Sequence, residues 1–502
     1  MHFLSRLPLF VLLAGIGALA MLVPATVAWS GDDLETARPF FYGAILFLMI
    51  TAIVGLATAR NVPESGTRRH LFQLIAALTV LPVILAVPFA EAVPNARFIN
   101  VYAEMVSALT TTGAAFFEPE RLPYAVHVWR AQVAWMGGFL IWVTGFAILA
   151  PMMLGGFEVT SVQEAGTGAM RRDVNDDVDP SARLLRYTAR LWPVYAGLTT
   201  VLWLLLVLAG DPPSVGAIHA MSTIATSGIT ALPSFSEAPS AWVGEVVILL
   251  FFVFALTRRS FLGGFSAPMW MQFAQDRELR LAILLIVSLP SLLFFRHFLG
   301  AWEIDETLDP RALPAFWGGV FTVASFLTTT GFESSDWDTA RAWSGLGTPG
   351  LLLAGMAVIG GGVATTAGGV KLLRVYALYK HGIREMERLV HPSSVGGKGE
   401  IARRIRREGA SIAWVFFMIF AISIALVMAG LAMAGTSFED AVILAVATLS
   451  TTGPVANIAG ESAISYAALT DAAKLVVCAA MVLGRLETLA IIALLNPDFW
   501  RS

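Results

Sequence analysis

Val320-Phe-Thr-Val-Ala-Ser-Phe-Leu-Thr-Thr-Thr-Gly331 is a short apolar stretch that runs into hydroxyl residues and a glycine. Three other segments follow the same plan: Glu104-Met-Val-Ser-Ala-Leu-Thr-Thr-Thr-Gly113, Ala217-Ile-His-Ala-Met-Ser-Thr-Ile-Ala-Thr-Ser-Gly228 and Ala441-Val-Ile-Leu-Ala-Val-Ala-Thr-Leu-Ser-Thr-Thr-Gly453. The four glycines lie 115, 103 and 122 residues apart. A pattern that returns at a nearly fixed spacing indicates repeated structural units. A lone Thr-Thr-Gly would carry little information, whereas four copies at one position of each unit are a strong signal.

The composition around these segments is typical of an integral membrane protein. Of the 502 residues, 57% are hydrophobic and 14% charged, and the mean hydropathy is +0.72. Soluble globular chains have about 45–50% apolar and about 25% charged residues. The charge is low along the whole length, which leaves no room for a separate soluble catalytic domain. One cysteine, Cys478, excludes an intramolecular disulfide, and the net charge of -3 gives no indication of a nucleic-acid partner.

Ten apolar segments approach the roughly 20 residues that a helix needs to cross the hydrocarbon core. They cover residues 7–29, 40–59, 71–90, 131–153, 190–209, 241–257, 281–299, 346–370, 411–434 and 474–495. The first could be a cleaved signal peptide, but its apolar run is long for one, which favours a retained helix. Each repeated stretch falls between two of the last eight segments and is too short to span.

Basic residues between the spans indicate the orientation in the membrane. They follow the second, fourth, sixth and eighth spans, and the densest group lies at 371–407. By contrast, 210–257 and 435–470 contain no lysine or arginine. The positive-inside rule therefore predicts that both termini are cytoplasmic and that the four repeated stretches enter the membrane from outside.

The residue types in the four stretches suit the binding of a cation. A half-helix that descends into the membrane points its partly negative carbonyl end at the centre. Extended chain beyond it can turn backbone carbonyl oxygens inward to replace the water shell of an ion, and glycine reaches the backbone angles that this requires. The Thr/Ser-Gly ends of the four stretches hold no carboxylate, which favours a monovalent cation over a divalent one.

These features predict an all-α integral membrane fold. It has ten transmembrane helices, with four pseudo-fourfold helix–pore loop–helix repeats around one central pore and two N-terminal helices before them. The expected units are 1–69 for the N-terminal helices, 70–160 with Gly113, 181–265 with Gly228, 275–385 with Gly331, and 405–502 with Gly453.

At these residues the chain resembles the Trk/Ktr/HKT superfamily of potassium transporters, and within it the bacterial TrkH-type potassium uptake subunits. The resemblance covers essentially the whole chain and includes further motifs: Trp135-Met-Gly-Gly138, Gly360-Gly-Gly-Val-Ala-Thr-Thr-Ala-Gly-Gly-Val-Lys371, Gly484-Arg-Leu-Glu487 and Pro497-Asp-Phe-Trp500. Two segments depart from the family pattern. Phe254–Phe261 lacks an expected glycine, and Thr451–Val455 lacks an Asn before the Thr and a Gly after the Pro.

The resemblance implies channel-like potassium uptake across the bacterial inner membrane. It also implies a homodimer in membrane lipid with one pore per subunit, a cytosolic nucleotide-binding regulatory partner of the TrkA type, and no organic cofactor. Potassium would bind at a selectivity filter made by one stretch from each repeat: Thr111, Thr112 and Gly113; Thr226, Ser227 and Gly228; Thr329, Thr330 and Gly331; Thr451, Thr452 and Gly453.

The segment 360–369 is the candidate gate. Five glycines in ten residues disfavour a rigid helix, since each costs about 1 kcal/mol relative to alanine. The resemblance implies an intramembrane loop that closes the pore beneath the filter, while close helix packing through small residues is the alternative. The gate residues would be Gly360, Gly361, Gly362, Thr365, Thr366, Gly368, Gly369 and Arg485.

Three other assignments have alternatives that the residues leave open. Arg485 would face the pore as a barrier to cations, or form an ion pair with Glu487. Glu104 and His219 are predicted to anchor the pore helices or to place a charge at the pore mouth, rather than to form a proton relay. The basic segment 371–407 would contact a partner protein or anionic lipid.

Two other functions compete with a potassium channel. Sodium- or proton-coupled potassium symport is one, although the resemblance implies that a glycine at all four filter positions favours potassium, because relatives that move sodium typically have a serine at the first. The other is a membrane-embedded enzyme, which the scattered positions of the seven histidines disfavour. The sequence therefore predicts a transport protein without enzymatic activity.

Overall fold

The computed structural model describes residues 8–58, 67–150, 180–257, 276–300, 311–390 and 410–486. All regular secondary structure within these ranges is helical. Two hydrophobic elements come first: a helix interrupted at Met21 (Leu9–Ala20 and Leu22–Ser30), and the helix Leu34–Thr58.

Four similar groups of helices follow, each with a leading helix, a shorter pore helix and a return helix. The leading helices are Thr67–Ala92, Pro180–Leu208, Arg277–Gly300 and Ala410–Met433. The pore helices are Phe98–Leu109, Pro213–Ala225, Ala312–Leu327 and Phe438–Leu449. The return helices are Tyr124–Thr144 (continued by a π turn, Gly145–Leu149), Ala241–Phe251 with Val253–Leu256, Gly350–Ile359, and Asp471–Leu486. Two further helices, Trp337–Ser344 and Leu372–Val390, flank the third return helix, and a short helix, Val455–Ile458, follows the fourth pore helix.

The ends of the pore helices are set by local sequence. Pro213 opens the second pore helix, where its missing amide hydrogen would have had no helical partner. Ser437 caps the fourth by accepting a hydrogen bond from the amide of Asp440 at 3.1 Å, and Glu439 lies in that first turn. The acidic residues there complement the positive end of the helix dipole.

The ten predicted spans correspond to helices, but not all are continuous. In the described part of the chain, seven helices are long and apolar enough to cross a membrane. The second return helix is interrupted at Phe252, and the third ends at Ile359, so 360–369 is not helical, as its glycines predicted. The glycines from Gly360 onward explain that end. Residues 487–495 of the last predicted span lie outside the described residues.

The pore helices lie at the centre and the leading helices at the periphery. Every residue of the first pore helix from Ala103 to Leu109 is buried. The leading helix of the second group instead exposes large apolar residues such as Leu204 and Leu208. A helix can present such a surface to lipid, because its backbone polar groups are satisfied within the helix.

Candidate ion pathway

Each pore helix ends in the same left-handed turn. The residue two positions before each repeated glycine has a positive φ: Thr111 (54°), Thr226 (53°), Thr329 (59°) and Thr451 (54°). The next amide then donates to the carbonyl oxygen five residues earlier. These bonds join Thr112 to Ser107 (2.8 Å), Ser227 to Ser222 (2.9 Å), Thr330 to Ser325 (2.9 Å) and Thr452 to Ala447 (2.8 Å). This is a Schellman ending, a position that usually carries glycine. A β-branched residue adopts this conformation only under strain, so the surrounding contacts must enforce it four times.

The four stretches then meet in a closed ring. A Cβ on Gly113 would overlap the carbonyl oxygen of Ser227, and one on Gly228 would overlap that of Thr330. A Cβ on Gly331 would lie 2.8 Å from the ring of Pro454. The amide of Gly453 closes the circle by donating to the carbonyl oxygen of Thr112 at 2.6 Å. The sequence-predicted filter residues are therefore brought together in space.

Three of the four glycines share one backbone conformation. Gly113, Gly228 and Gly331 have φ values of 72°, 65° and 82°. Among the described residues, no donor forms a hydrogen bond to the carbonyl oxygens of these three glycines. Gly453 is not in the left-handed region, and its carbonyl oxygen accepts hydrogen bonds from the Ala456 amide at 3.1 Å and the Tyr466 hydroxyl at 3.0 Å.

Polar side chains nine residues before the glycines hold the chain beyond them. Glu104 accepts from the Phe116 amide at 2.6 Å and pairs with Arg130 at 2.5 Å. Thr322 accepts from the Ser334 amide at 3.2 Å in the third group. Leu444 occupies this position in the fourth group, so the fourth stretch lacks this anchor.

His219 is the corresponding residue of the second group. Its Nε2 lies 3.0 Å from the Thr230 hydroxyl, and its Nδ1 lies 3.5 Å from a carboxylate oxygen of Asp211. Asp211 also accepts from the Ser240 amide at 2.9 Å. Glu104 and His219 thus take the anchoring positions that the sequence favoured for them.

Glu245 is a site residue that the sequence reasoning missed. It is buried in the second return helix, where its carboxylate accepts from Trp317 Nε1, from the Ser334 hydroxyl and from the Ser335 amide, each at 2.7 Å. It thereby ties the second group to the loop that follows Gly331. The sequence did contain a signal for Glu245, because a carboxylate within an apolar span is costly to bury in the membrane unless it has a partner.

The glycine-rich segment is a non-helical loop beneath the ends of the pore helices. The chain leaves the third return helix at Gly360, which has a φ of 73°, and becomes helical again at Leu372. The Gly362 amide donates to the Ala255 carbonyl at 2.9 Å, and the Thr366 hydroxyl donates to the Ile224 carbonyl at 3.0 Å. A Cβ on Gly361, Gly362 or Gly368 would overlap neighbouring atoms. The glycines therefore permit close packing of a loop, rather than close packing of a helix.

Arg485 lies beside this loop in the fourth return helix. It is 5% exposed, and its Nη1 donates to the carbonyl oxygen of Thr366 at 2.7 Å. Its predicted alternative partner, Glu487, lies outside the described residues. The guanidinium therefore places a positive charge directly against the loop.

A ring of pore-loop ends inside a helical bundle with an apolar exterior defines a membrane transport protein of the pore-loop class. Residues 37–500 match the family model TrkH, described as a cation transport protein, and the chain belongs to that family. It is 30% identical to the Trk system potassium uptake protein TrkH of Vibrio parahaemolyticus and 27% identical to that of Escherichia coli, over the full length of each chain. The crystal structure of the potassium transporter TrkH from Vibrio parahaemolyticus superimposes with a TM-score of 0.80 at 28% identity, again over both full chains.

The family and the structure together confirm the predicted resemblance and the all-helical, multi-span membrane architecture. The ten-helix pore-loop arrangement agrees with that of the matching crystal structure. The segment 371–407 is described only as far as Val390, and Arg258–Phe261 lies outside the described residues.

Proposed function

We propose that this protein takes up potassium through a channel-like pore whose filter is the ring of Thr/Ser-Gly stretches. This proposal rests mainly on three left-handed glycines, Gly113, Gly228 and Gly331, whose carbonyl oxygens accept no hydrogen bond among the described residues. Uncharged oxygens at fixed positions can replace the hydration shell of a monovalent cation. Relatives named as potassium uptake proteins over the full chain length support potassium as that cation.

The threonine hydroxyls support a further ligand position at the pore-helix end of the ring. Those of Thr111 and Thr451 are fully buried and make no hydrogen bond among the described residues. A buried hydroxyl oxygen without a donor is costly, and a cation in the passage would satisfy it.

The loop 360–369 is proposed as the gate, with Gly360, Gly361, Gly362, Thr365, Thr366, Gly368, Gly369 and Arg485 as its working residues. The loop packs against the pore-helix ends through backbone and hydroxyl hydrogen bonds. A few neutral hydrogen bonds of about 1 kcal/mol each hold the loop in the closed position and still permit it to open. Arg485 adds a positive charge that opposes a cation at the same level.

The remaining proposals concern the setting of the pore. The protein lies in the inner membrane of a bacterium, with both termini in the cytoplasm. The membrane potential then drives uptake with about 2.3 kcal/mol per unit charge per 100 mV. The units 1–69, 70–160, 181–265, 275–385 and 405–502 are proposed as the N-terminal helices and the four repeats. The proposed assembly is a homodimer regulated by a cytosolic nucleotide-binding protein of the TrkA type.

Flux into liposomes tests the proposed filter. The protein is reconstituted, and uptake is measured under potassium or sodium gradients for the wild type, Gly331→Ser and the control Gly347→Ser. A side chain at Gly331 would meet Pro454 and take up a positive φ, whereas nothing lies within 4 Å of a Cβ on Gly347. We expect Gly331→Ser alone to lose the preference for potassium. Unchanged selectivity in Gly331→Ser would remove the filter assignment of the third stretch.

A further inference from the structure

The fourth Thr/Ser-Gly stretch leaves the ring differently from the other three. After Pro454 the chain does not stay extended but turns at once into the short helix Val455–Ile458. Gly453 accordingly lacks the positive φ of Gly113, Gly228 and Gly331. Proline has a fixed φ that suits the start of a helix, so the local sequence itself favours this turn.

The hydrogen-bonding groups of Gly453 are all engaged. Its amide donates to the carbonyl oxygen of Thr112 at 2.6 Å, and its carbonyl oxygen accepts from the Ala456 amide at 3.1 Å. The Tyr466 hydroxyl donates to that same oxygen at 3.0 Å. A carbonyl oxygen has two lone pairs, so this one has none left for a cation.

Tyr466 is held rigidly in the position that this bond requires. The residue is 3% exposed, and its ring centroid lies 5.5 Å from that of Phe116. The Phe116 amide is itself fixed by the buried Glu104 carboxylate at 2.6 Å. The hydroxyl is therefore anchored to the first repeat while it holds the backbone of the fourth.

The ring of Pro454 presents an apolar surface beside the glycines of the second and third stretches. Its ring lies 2.8 Å from a Cβ built on Gly331 and 3.1 Å from one built on Gly228. It thus reaches both the neighbouring stretch and the one opposite. The ring has no donor, and its carbons cannot coordinate an ion.

We propose that the fourth repeat forms an apolar wall of the filter at the level of the glycines, and that Tyr466 is the positioning residue that keeps it so. This inference rests on the proposed function and deepens it. The carbonyl oxygens of the other three glycines and this apolar wall then select the ion. The proposal replaces the prediction from the sequence that Gly453 binds potassium like its three counterparts. Selectivity depends on the rigidity of the wall, because a loosened Gly453 would turn its oxygen towards the passage and change the number of ligands.

Tyr466→Phe tests this by removing only the hydroxyl. The matched control is Tyr102→Phe, which removes a tyrosine bond of similar length, 3.1 Å, to the carbonyl oxygen of Thr79. We expect Tyr466→Phe to lower the potassium-to-sodium permeability ratio roughly two- to tenfold, the equivalent of one neutral hydrogen bond. Tyr102→Phe should leave the ratio unchanged. A ratio in Tyr466→Phe equal to that of wild type would overturn the proposal.

A second measurement uses the wild-type protein and needs no folded variant. Thallium(I), a heavy substitute for potassium, is soaked into crystals of the full chain and located by its anomalous signal. The expected ion contacts the carbonyl oxygens of Gly113, Gly228 and Gly331 but not that of Gly453. An ion equally close to all four oxygens contradicts the wall while leaving the potassium filter intact. Absence of potassium flux in wild-type liposomes would instead contradict the proposed function itself.

Discussion

The Gly368 amide donates a hydrogen bond to the Thr329 hydroxyl across 2.7 Å, which joins the glycine-rich loop directly to the third Thr/Ser-Gly stretch. Thr329 is also the strained, left-handed residue that ends its pore helix. The loop therefore contacts the ring at the residue whose conformation positions Thr330 and Gly331. This bond therefore couples a change in the loop to a change in the ring.

Thr329→Val should weaken closure of the loop. The substitution preserves the shape but removes the acceptor, which leaves the buried Gly368 amide unsatisfied at a cost of about 1–3 kcal/mol. That cost is relieved when the loop moves away, so we expect a higher basal potassium flux in liposomes that contain this chain alone. Thr79→Val is the control, since the Thr79 hydroxyl donates within its own helix, to the Ile75 carbonyl oxygen at 2.9 Å. Equal flux in the two variants would contradict the coupling.

Gly368→Ala should displace the loop more strongly. A Cβ there would overlap the Ser450 carbonyl oxygen and the Thr451 hydroxyl, whereas nothing lies within 4 Å of one on Gly382. Overpacking costs about 1–3 kcal/mol, which shifts the ratio of open to closed loop by roughly 5- to 150-fold. Single-channel recording in planar bilayers should show a higher open probability for Gly368→Ala and no change for Gly382→Ala. A lower open probability would mean that the loop is not the gate.

Uptake should depend on external pH through Glu333. This carboxyl lies in the loop two residues beyond Gly331, no more than about 7 Å along the chain. Burial raises its pKa to about 7, the nearby Asp338 adds to the rise, and Arg341 opposes it. The group is therefore neutral below about pH 7 and charged above it, so potassium uptake at low external concentration should increase as the pH rises through 7. Glu333→Gln should abolish this step, and a step that persists in the variant would exclude Glu333 as its source.

The same pKa predicts the sign of a stability effect. Because the folded carboxyl holds its proton up to about pH 7 while an unfolded glutamate releases it near pH 4.3, the folded state binds more protons between these values. The contribution of Glu333 to the free energy of unfolding should fall as the pH rises from about 4.3 to 7. Thermal unfolding in detergent should show that the unfolding temperature declines less between these pH values in Glu333→Gln than in the wild type.

Breaking the Glu104–Arg130 pair should destabilise the protein strongly. The two side chains are 1% and 4% exposed, and Glu104→Gln would leave the guanidinium buried without its counter-charge. Such a loss costs about 3–5 kcal/mol, so we expect a clear drop in the unfolding temperature in detergent. The control is Arg97→Gln at the Arg97–Asp471 pair, which has a distance of 2.7 Å but exposures of 63% and 55%. That change should cost no more than about 1 kcal/mol, and equal losses from both variants would contradict the structural role of the buried pair.

The sequence predicted the architecture because its strongest signals are periodic and local. Apolar runs of spanning length predicted ten transmembrane helices. The recurring glycine predicted the four stretches that the structure brings together. The left-handed threonines had no such signal, since threonine is uncommon in that conformation. Only the ring contacts around Thr111 and its counterparts enforce it.

The difference of the fourth stretch could not be predicted from its glycine alone. The sequence shows that Thr451–Val455 departs from the family pattern, but the consequence depends on Tyr466, 13 residues further along the chain. Glu245 and Ser335, which are joined at 2.7 Å, are separated by 90 residues in the same way. Contacts between repeats have no periodic signature in a single sequence, whereas the helices that carry them do.

The bond between Gly453 and Thr112 joins the pore loop that is synthesised fourth to the one that is synthesised first. A nascent chain that has inserted only its first three repeats therefore has an open ring without its fourth side. The four stretches can reach their final spacing only after the fourth pore loop has entered the bilayer. If the proposed function holds, the membrane therefore contains no complete ion filter from this chain until the fourth pore loop has been inserted.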